Sequence, residues 1–255
     1  MSVCCCAVCC VSLCVRMGFE MSVCDGEKLE CLANLRGARR RAVVIGAAPV
    51  IRGAELIVPG DFVAVCDGGL KYAIDAAIPF GLLVGDFDSY CGELPKLAEG
   101  TELIRLPAEK DDTDIGFAVK VLLERGFRDF LILGGVGGRL DHTMGNISVA
   151  AEVAACGGVC RLTGDAEGEM LLVFRDRTVQ LSPRKGSFVS IFPWGCECAV
   201  VTASGFKYPL LHGEVSARTT LGVSNEFSAC FFDGPAVGPM PFITAESGTV
   251  VVLIN

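Results

Sequence analysis

The chain has 255 residues, a formal charge of −8 and 51% hydrophobic residues, with a mean hydropathy of +0.51. That length fills one large domain or two modest ones with a complete core, and the apolar content excludes a disordered chain. The acidic balance argues against a nucleic-acid binder, whose footprint is a basic patch, whereas a cationic substrate suits it.

Eight of the fifteen cysteines stand at positions 4, 5, 6, 9, 10, 14, 24 and 31. Residues 3 to 15 are apolar but too short to span a membrane, and they lack both a basic leader and a clear cleavage site. Cys6 and Cys9 form one CxxC with no second pair at zinc-finger spacing. Residues 1–40 are expected to lie outside the fold, with Met17 and Met21 as later starting points. The other seven cysteines, Cys196 and Cys198 among them, sit mostly in apolar runs, where a thiol behaves as a small hydrophobe. That usage points to a reducing cytoplasm.

Beyond Arg39, Arg40 and Arg41, short β-branched runs alternate with helical stretches, the pattern of a parallel sheet with crossover helices. Strands are expected at 42–48, 62–66, 82–85, 102–106 and 129–135. Ile115, Ala118, Val119 and Leu122 share one face of a helix from Asp114 to Arg125 that stops at Gly126. A second helix is expected from Thr143 to Ala155. From about residue 168 the texture changes to closely spaced strands, MLLVF, TVQL, SFVSIF, CAVVTA, EFSACFF and TVVVLI, separated by Gly, Pro and Ser. This reads as a small antiparallel sandwich or barrel, with the boundary near Gly164 to Gly168. The expected division is 41–166 as an open α/β domain and 167–255 as an all-β one.

Four polar clusters fall where the α/β strands should end, and open sheets bind ligands at such ends. Asp67-Gly68-Gly69 closes the second strand; its glycines admit a ligand close to the backbone, and Asp67 caps a helix or helps hold metal. In LLVGDFDS, Asp86 and Asp88 stand two apart, so in extended chain both carboxylates point to one spot. An oxygen-only ligand set suits Mg²⁺, which keeps several waters and bridges to substrate phosphates. Lys110-Asp111-Asp112-Thr113-Asp114 opens a helix with more acid than capping requires, and Asp111 and Asp114 are spaced to share a face. The Gly134–His142 stretch offers four glycines whose N–H groups can cradle phosphate, with Arg139 to hold its oxygens. It fits neither GxGxxG nor a P-loop. His142, beside Asp141, reads equally as a base or as a structural residue.

In order and spacing these clusters resemble the thiamine pyrophosphokinase (thiamine diphosphokinase) family, through DGG at 67–69, GDFDS at 85–89, KDDTD at 110–114 and GGRLDH at 137–142. GFKYPL at 205–210 and GVSNEF at 222–227 look like that family's thiamine-side motifs. The resemblance implies a Rossmann-like catalytic domain followed by a small β-sandwich, in a homodimer with sites at the interface and no membrane or nucleic-acid partner. It implies an enzyme that takes ATP as co-substrate and moves its β,γ-diphosphate to the hydroxyl of thiamine, releasing AMP. Carried over, Asp86, Asp88 and Asp114 hold Mg²⁺, with Asp67 and Asp111 nearby. Arg139 binds phosphate, and Gly68, Gly69, Lys110 and Thr113 line the ligand side. Asp141 contacts thiamine or orients the site beside His142, while Ser224 and Asn225 recognise the thiamine rings. Lys110 either steadies phosphate or pairs with Asp111 or Asp112, and Trp194 either packs in the core or stacks on a ligand.

Two other readings compete. A metal-dependent nucleotide phosphohydrolase explains the acids but leaves GFKYPL and GVSNEF without a role. A non-catalytic thiamine or nucleotide sensor would be expected to lack the metal carboxylates, and Asp86, Asp88 and Asp114 are all present.

Overall fold

The structure, a computed structural model, describes residues 40–49, 51–87, 94, 96–107, 109, 111–232 and 239–255. The expectation for the cysteine-rich leader lies outside these residues, apart from Arg40.

Six strands run parallel: β1 (Ala42–Ile45), β2 (Phe62–Cys66), β3 (Leu82–Gly85), β4 (Glu102–Arg105), β5 (Asp129–Leu133) and β6 (Val159–Thr163). Their spatial order is β6-β5-β1-β2-β3-β4, so the chain reverses direction across the sheet between β5 and β1. Period-2 alternation decides which face each residue meets. Val44, Ala64, Val84 and Ile132 enter one core with α2 (Asp114–Glu124) and α3 (Leu140–Ala155). Val43, Val65, Leu83 and Leu131 enter another with α1 (Gly69–Asp75). Both faces are thus covered, as near-continuous apolar strands require.

Helix α2 begins at Thr113, whose side chain accepts from the Gly116 N–H at 3.0 Å. It ends with Gly126 at φ 89°, where the N–H groups of Gly126 and Phe127 return to the carbonyls of Leu123 and Leu122. Only a residue at ease with positive φ closes the helix this way. α3 starts three residues earlier than its periodicity suggested, at Leu140.

The remaining strands are β7 (Met170–Gln180), β8 (Phe188–Trp194), β9 (Cys198–Ser204), β10 (Leu210–Ser216), β11 (Asn225–Glu226) and β12 (Phe242–Ile254). All their pairings are antiparallel, and β7 pairs with β6, so hydrogen bonding runs without a break from the parallel half into this one. The long β12 pairs with β7 along one side and with β8 and β9 on the other. A core of Leu172, Phe174, Val189, Ile191, Val201, Val215, Ile243 and Val252 fills this half. Residues on the opposite faces of β7 and β12, Leu171, Val173 and Val251, join Ile147, Ala150 and Val153 of α3 in the first core. Trp194 packs against that core.

Several strand expectations differ from the structure. MLLVF and TVQL are one strand, continuous through Arg175-Asp176-Arg177. EFSACFF is not a strand; β11 stops at Glu226 and a 3-10 turn follows at Ala229–Phe231. β6 was concealed by its charge. Arg161 is 5% exposed, yet its guanidinium reaches Asp129 Oδ1 on the neighbouring strand at 2.5 Å. β10 was concealed by Gly213 and a bulge beside it.

Candidate active site

The C-terminal ends of β2 and β3 and the start of α2 bring three carboxylates together. β2 runs into Asp67, whose N–H bonds to the Val84 carbonyl at 2.9 Å and whose φ of 36° turns the chain sharply into α1. The turn sits tight on β1, since a Cβ on Gly69 would stand 2.5 Å from the Ile45 carbonyl oxygen. The sequence pairing of Asp67 with Gly68-Gly69 thus serves close packing, and Gly68 leads into the helix with no side-chain cap.

Burial raises the Asp67 carboxyl above the usual carboxylate range, and the charges of Asp114 and Asp86 raise it further, against the opposing pull of the Gly68 and Phe87 N–H groups. Its Oδ1 is buried and accepts no hydrogen bond among the described residues. Beneath it, Cys66 points its thiol at the Asp114 carbonyl, 3.6 Å away, and burial pushes that thiol far up, with Asp114 and Asp67 adding to the effect. An inert thiol therefore floors an acidic cluster. The donor chemistry, oxygen only with one buried oxygen unbonded, fits a hard divalent cation. Among the described residues, no three carboxylate, histidine or cysteine groups already stand in a metal-holding group.

The turn after β3 departs from the extended geometry expected of it. β3 stops at Gly85, and Phe87 lies at φ 59° with its ring 8% exposed in the α1-side core, beneath the Arg105 guanidinium at 5.4 Å. The extended geometry on which that expectation rested therefore does not run through Phe87. Asp88 lies outside the described residues, as does Lys110. At the start of α2, Asp111 is exposed, while Asp112 accepts from the Thr113 N–H at 2.8 Å and pairs with Lys120 at 2.7 Å. Lys120, eight residues further along the chain, is a partner that the KDDTD cluster itself does not reveal.

The glycine-rich loop after β5 is more occupied than its sequence suggests. Gly134 N–H bonds to Thr163 Oγ1 at 3.2 Å, Val136 N–H to the Thr163 carbonyl at 3.2 Å and Gly137 N–H to Thr143 Oγ1 at 3.2 Å. Asn146, buried on α3, donates to the Gly135 carbonyl at 2.9 Å. These fixings, which the motif does not reveal, come from ordinary polar residues on the next two elements, Thr143 and Asn146 on α3 and Thr163 on β6. At the loop's end Arg139 and Asp141 form an exposed two-bond pair, at 3.1 and 2.5 Å, that holds the Asp141 carboxyl below its usual range. His142 is exposed beside them.

On the antiparallel half, the segments 205–210 and 222–227 are bound to each other. Phe206 and Phe227 stack at 5.4 Å, and Lys207 N–H bonds to the Glu226 carbonyl at 2.8 Å. Asn225 is 7% exposed and fastens the junction: Oδ1 accepts from the Tyr208 and Glu226 N–H groups at 3.0 and 2.9 Å, while Nδ2 donates to the Tyr208 carbonyl at 2.7 Å. Ser224, at φ 57°, hangs its N–H on Ser190 Oγ at 3.0 Å. Tyr208 and Val223 project outward from this frame. His212 bonds through Nδ1 to Glu246 at 2.7 Å, and Glu246 also accepts from Thr202.

The catalytic-domain model of thiamin pyrophosphokinase matches residues 54–157, and that family's vitamin B1 binding domain matches residues 177–231. The first spans the three carboxylates and the glycine-rich loop; the second contains GFKYPL and GVSNEF. Thiamine pyrophosphokinase of Bacillus subtilis (strain 168) is 29% identical over 164 residues, covering 63% of this chain and 75% of that protein. Among solved structures, thiamine pyrophosphokinase from Bacillus subtilis superposes with a TM-score of 0.70 at 22% identity, over 85% of this chain and 99% of the other. The Geobacillus thermodenitrificans thiamin pyrophosphokinase gives 0.66 at 24% identity, over 84% and 97%. The yeast thiamin pyrophosphokinase gives 0.60 at 16%, over 86% and 87%. With both of its halves matched by domains of one family, in the order in which they occur here, the chain belongs to the thiamin pyrophosphokinase family.

Proposed function

We propose that the protein is a thiamine diphosphokinase, moving the β,γ-diphosphate of ATP to the hydroxyl of thiamine to give thiamine diphosphate and AMP. The observation that carries this reading is the meeting of Asp67 and Asp86, at the ends of adjacent parallel strands, with Asp114 at the start of α2, in a chain whose other half matches a vitamin B1 binding domain. The hydrolase alternative leaves that half without a task.

Transfer of a diphosphate needs reactants in line and charge neutralised, with little covalent work from the protein. Asp86, Asp88 and Asp114, with Asp67 and Asp111 beside them, would hold Mg²⁺, which when bound neutralises phosphate charge. Arg139 is exposed and able to exchange Asp141 for phosphate oxygens, leaving Asp141 to orient thiamine. Lys110, Thr113 and His142 belong to the same ligand-facing set. Asn225 acts by holding Tyr208 in place while Ser190 holds Ser224, so that a planar ring meets a prepared surface. Residues 41–166 form the Rossmann-like catalytic part and 167–255 the β-sandwich part, in a cytoplasmic homodimer with shared sites. Among the described residues, no helix is long and apolar enough to cross a membrane.

The test is chromatography of a reaction containing the full chain, thiamine, ATP and Mg²⁺. Equal thiamine diphosphate and AMP are expected. ADP with thiamine monophosphate, phosphate release independent of thiamine, or thiamine binding without turnover would each overturn the assignment.

A further inference from the structure

Thr163 ends β6 beneath the two loops that leave β1 and β5, and it is 3% exposed. Its Oγ1 accepts from the Gly134 N–H at 3.2 Å and donates to the Arg52 carbonyl at 2.9 Å, while its own carbonyl accepts from the Val136 N–H at 3.2 Å. One side chain therefore ties both loops together. They also touch directly: a Cβ on Gly134 would lie 3.0 Å from the Ala48 Cβ, and one on Gly138 would lie 3.0 Å from Pro49 Cδ. Arg52 closes the circuit by donating from Nε to the Asp165 carbonyl at 2.7 Å, in the turn that follows β6.

The position of this knot gives it meaning. β1 and β5 are the neighbours between which the strand order reverses, and the crevice above such a reversal is where open α/β sheets take their ligands. For packing alone, valine would fill the Thr163 site with nearly the same shape. A hydroxyl is needed because one atom must both accept from one loop and donate to the other.

We propose that Thr163 is a positioning residue for the phosphate end of ATP, fixing the separation of Ala48, Pro49 and Arg52 from the 134–138 loop without touching substrate. The proposal rests on the reading, made above, of Arg139 at the end of the glycine-rich loop as the residue that holds phosphate oxygens. Misplacement of such a loop by about 1 Å costs on the order of 10²-fold in rate.

Three proteins decide it: the unaltered chain, Thr163→Val and Thr163→Ser, each read by steady-state kinetics with ATP and thiamine varied separately, by melting, and by amide exchange over residues 134–138. Thr163→Val is expected to lower kcat/KM for ATP by about 10- to 100-fold, with KM for thiamine within about twofold and loop exchange faster. Thr163→Ser, which keeps the hydroxyl, is expected to restore both. If Thr163→Val fails to fold, Thr163→Ala reads the same loss of the hydroxyl. The proposal falls if the valine variant keeps the original kcat/KM for ATP, if serine loses as much as valine, or if both substrates suffer equally. Should the unaltered chain form no thiamine diphosphate, the functional assignment falls instead, and the exchange comparison alone decides whether Thr163 fixes the loop.

Discussion

Asp67, in the turn after β2, and Asn225, at the start of β11, both belong to the proposed site, and the protein treats them in opposite ways. Asp67 carries a buried carboxylate oxygen that accepts no hydrogen bond among the described residues, and its neighbours Asp114 and Asp86 repel its charge. Asn225 is the more buried residue, yet its amide makes three hydrogen bonds to the main chain. The difference follows from what each region awaits. Under the proposed function a cation would bring its own charge to the parallel half, where burial and the charges of Asp114 and Asp86 already raise the Asp67 carboxyl. A ring is met by shape, so the antiparallel half satisfies its polar groups internally and offers a fixed surface.

The contrast is broken most severely by neutralising the acids. Asp86→Asn is expected to lower kcat by about 10³-fold, measured as thiamine diphosphate formed at saturating substrates; turnover within a few-fold of the original would remove Asp86 from the metal set. Next comes a pair far from the site that is satisfied and buried. Arg41 reaches Asp61 at 3.0 and 2.6 Å with side-chain exposures of 10% and 4%, and also donates to the Leu56 carbonyl. Asp61→Ala leaves a buried guanidinium uncompensated, so unfolding in denaturant should show a loss of about 3–5 kcal/mol with unchanged activity per folded molecule.

Asn225→Ala strips partners from the Tyr208 and Glu226 main chain. A loss of about 2 kcal/mol is expected, with a raised KM for thiamine and an unaltered KM for ATP. Equal changes in both constants would contradict the division of labour. The smallest effect is at Asp67. Its folded pKa is raised above the unfolded value, so the stability it contributes is full below about pH 4 and is lost as pH rises through the folded value. Asp67→Asn should therefore melt higher than the parent at pH 7, with the gain vanishing below pH 4. Added Mg²⁺ should narrow the difference at pH 7 by stabilising the parent; a variant less stable than the parent at pH 7 would refute the repulsion.

Local motifs carried the acids and the glycine-rich turn because each lies within a few residues of chain, next to a strand with an unmistakable apolar run. Phe87 shows the limit of that reading. GDFDS announces two acids, but only the structure reveals that the phenyl ring between them is an anchor in the core and turns the chain left-handed. Arg161 shows another, since a charge inside VCRLT hides a strand whose compensation, Asp129, stands 32 residues earlier. Thr163 and Asn146 went unread for the same reason: their partners in the glycine-rich loop are distant in sequence. Asn225 was recognised as part of a thiamine-side motif, but its work for the Tyr208 main chain required knowledge of which segment lies beside it.

Helix α3 lies against β6, β7 and β12 at once, and its inner face shares a core with Leu171, Val173 and Val251. A cut after residue 166 would strip that helix of half its covering and expose apolar strand faces to water. Recombination between relatives faces the same constraint: a chimaera that exchanges only the C-terminal portion inherits a mismatched seam along Ile147, Ala150 and Val153, so the exchangeable cassette has to begin upstream, at Leu140.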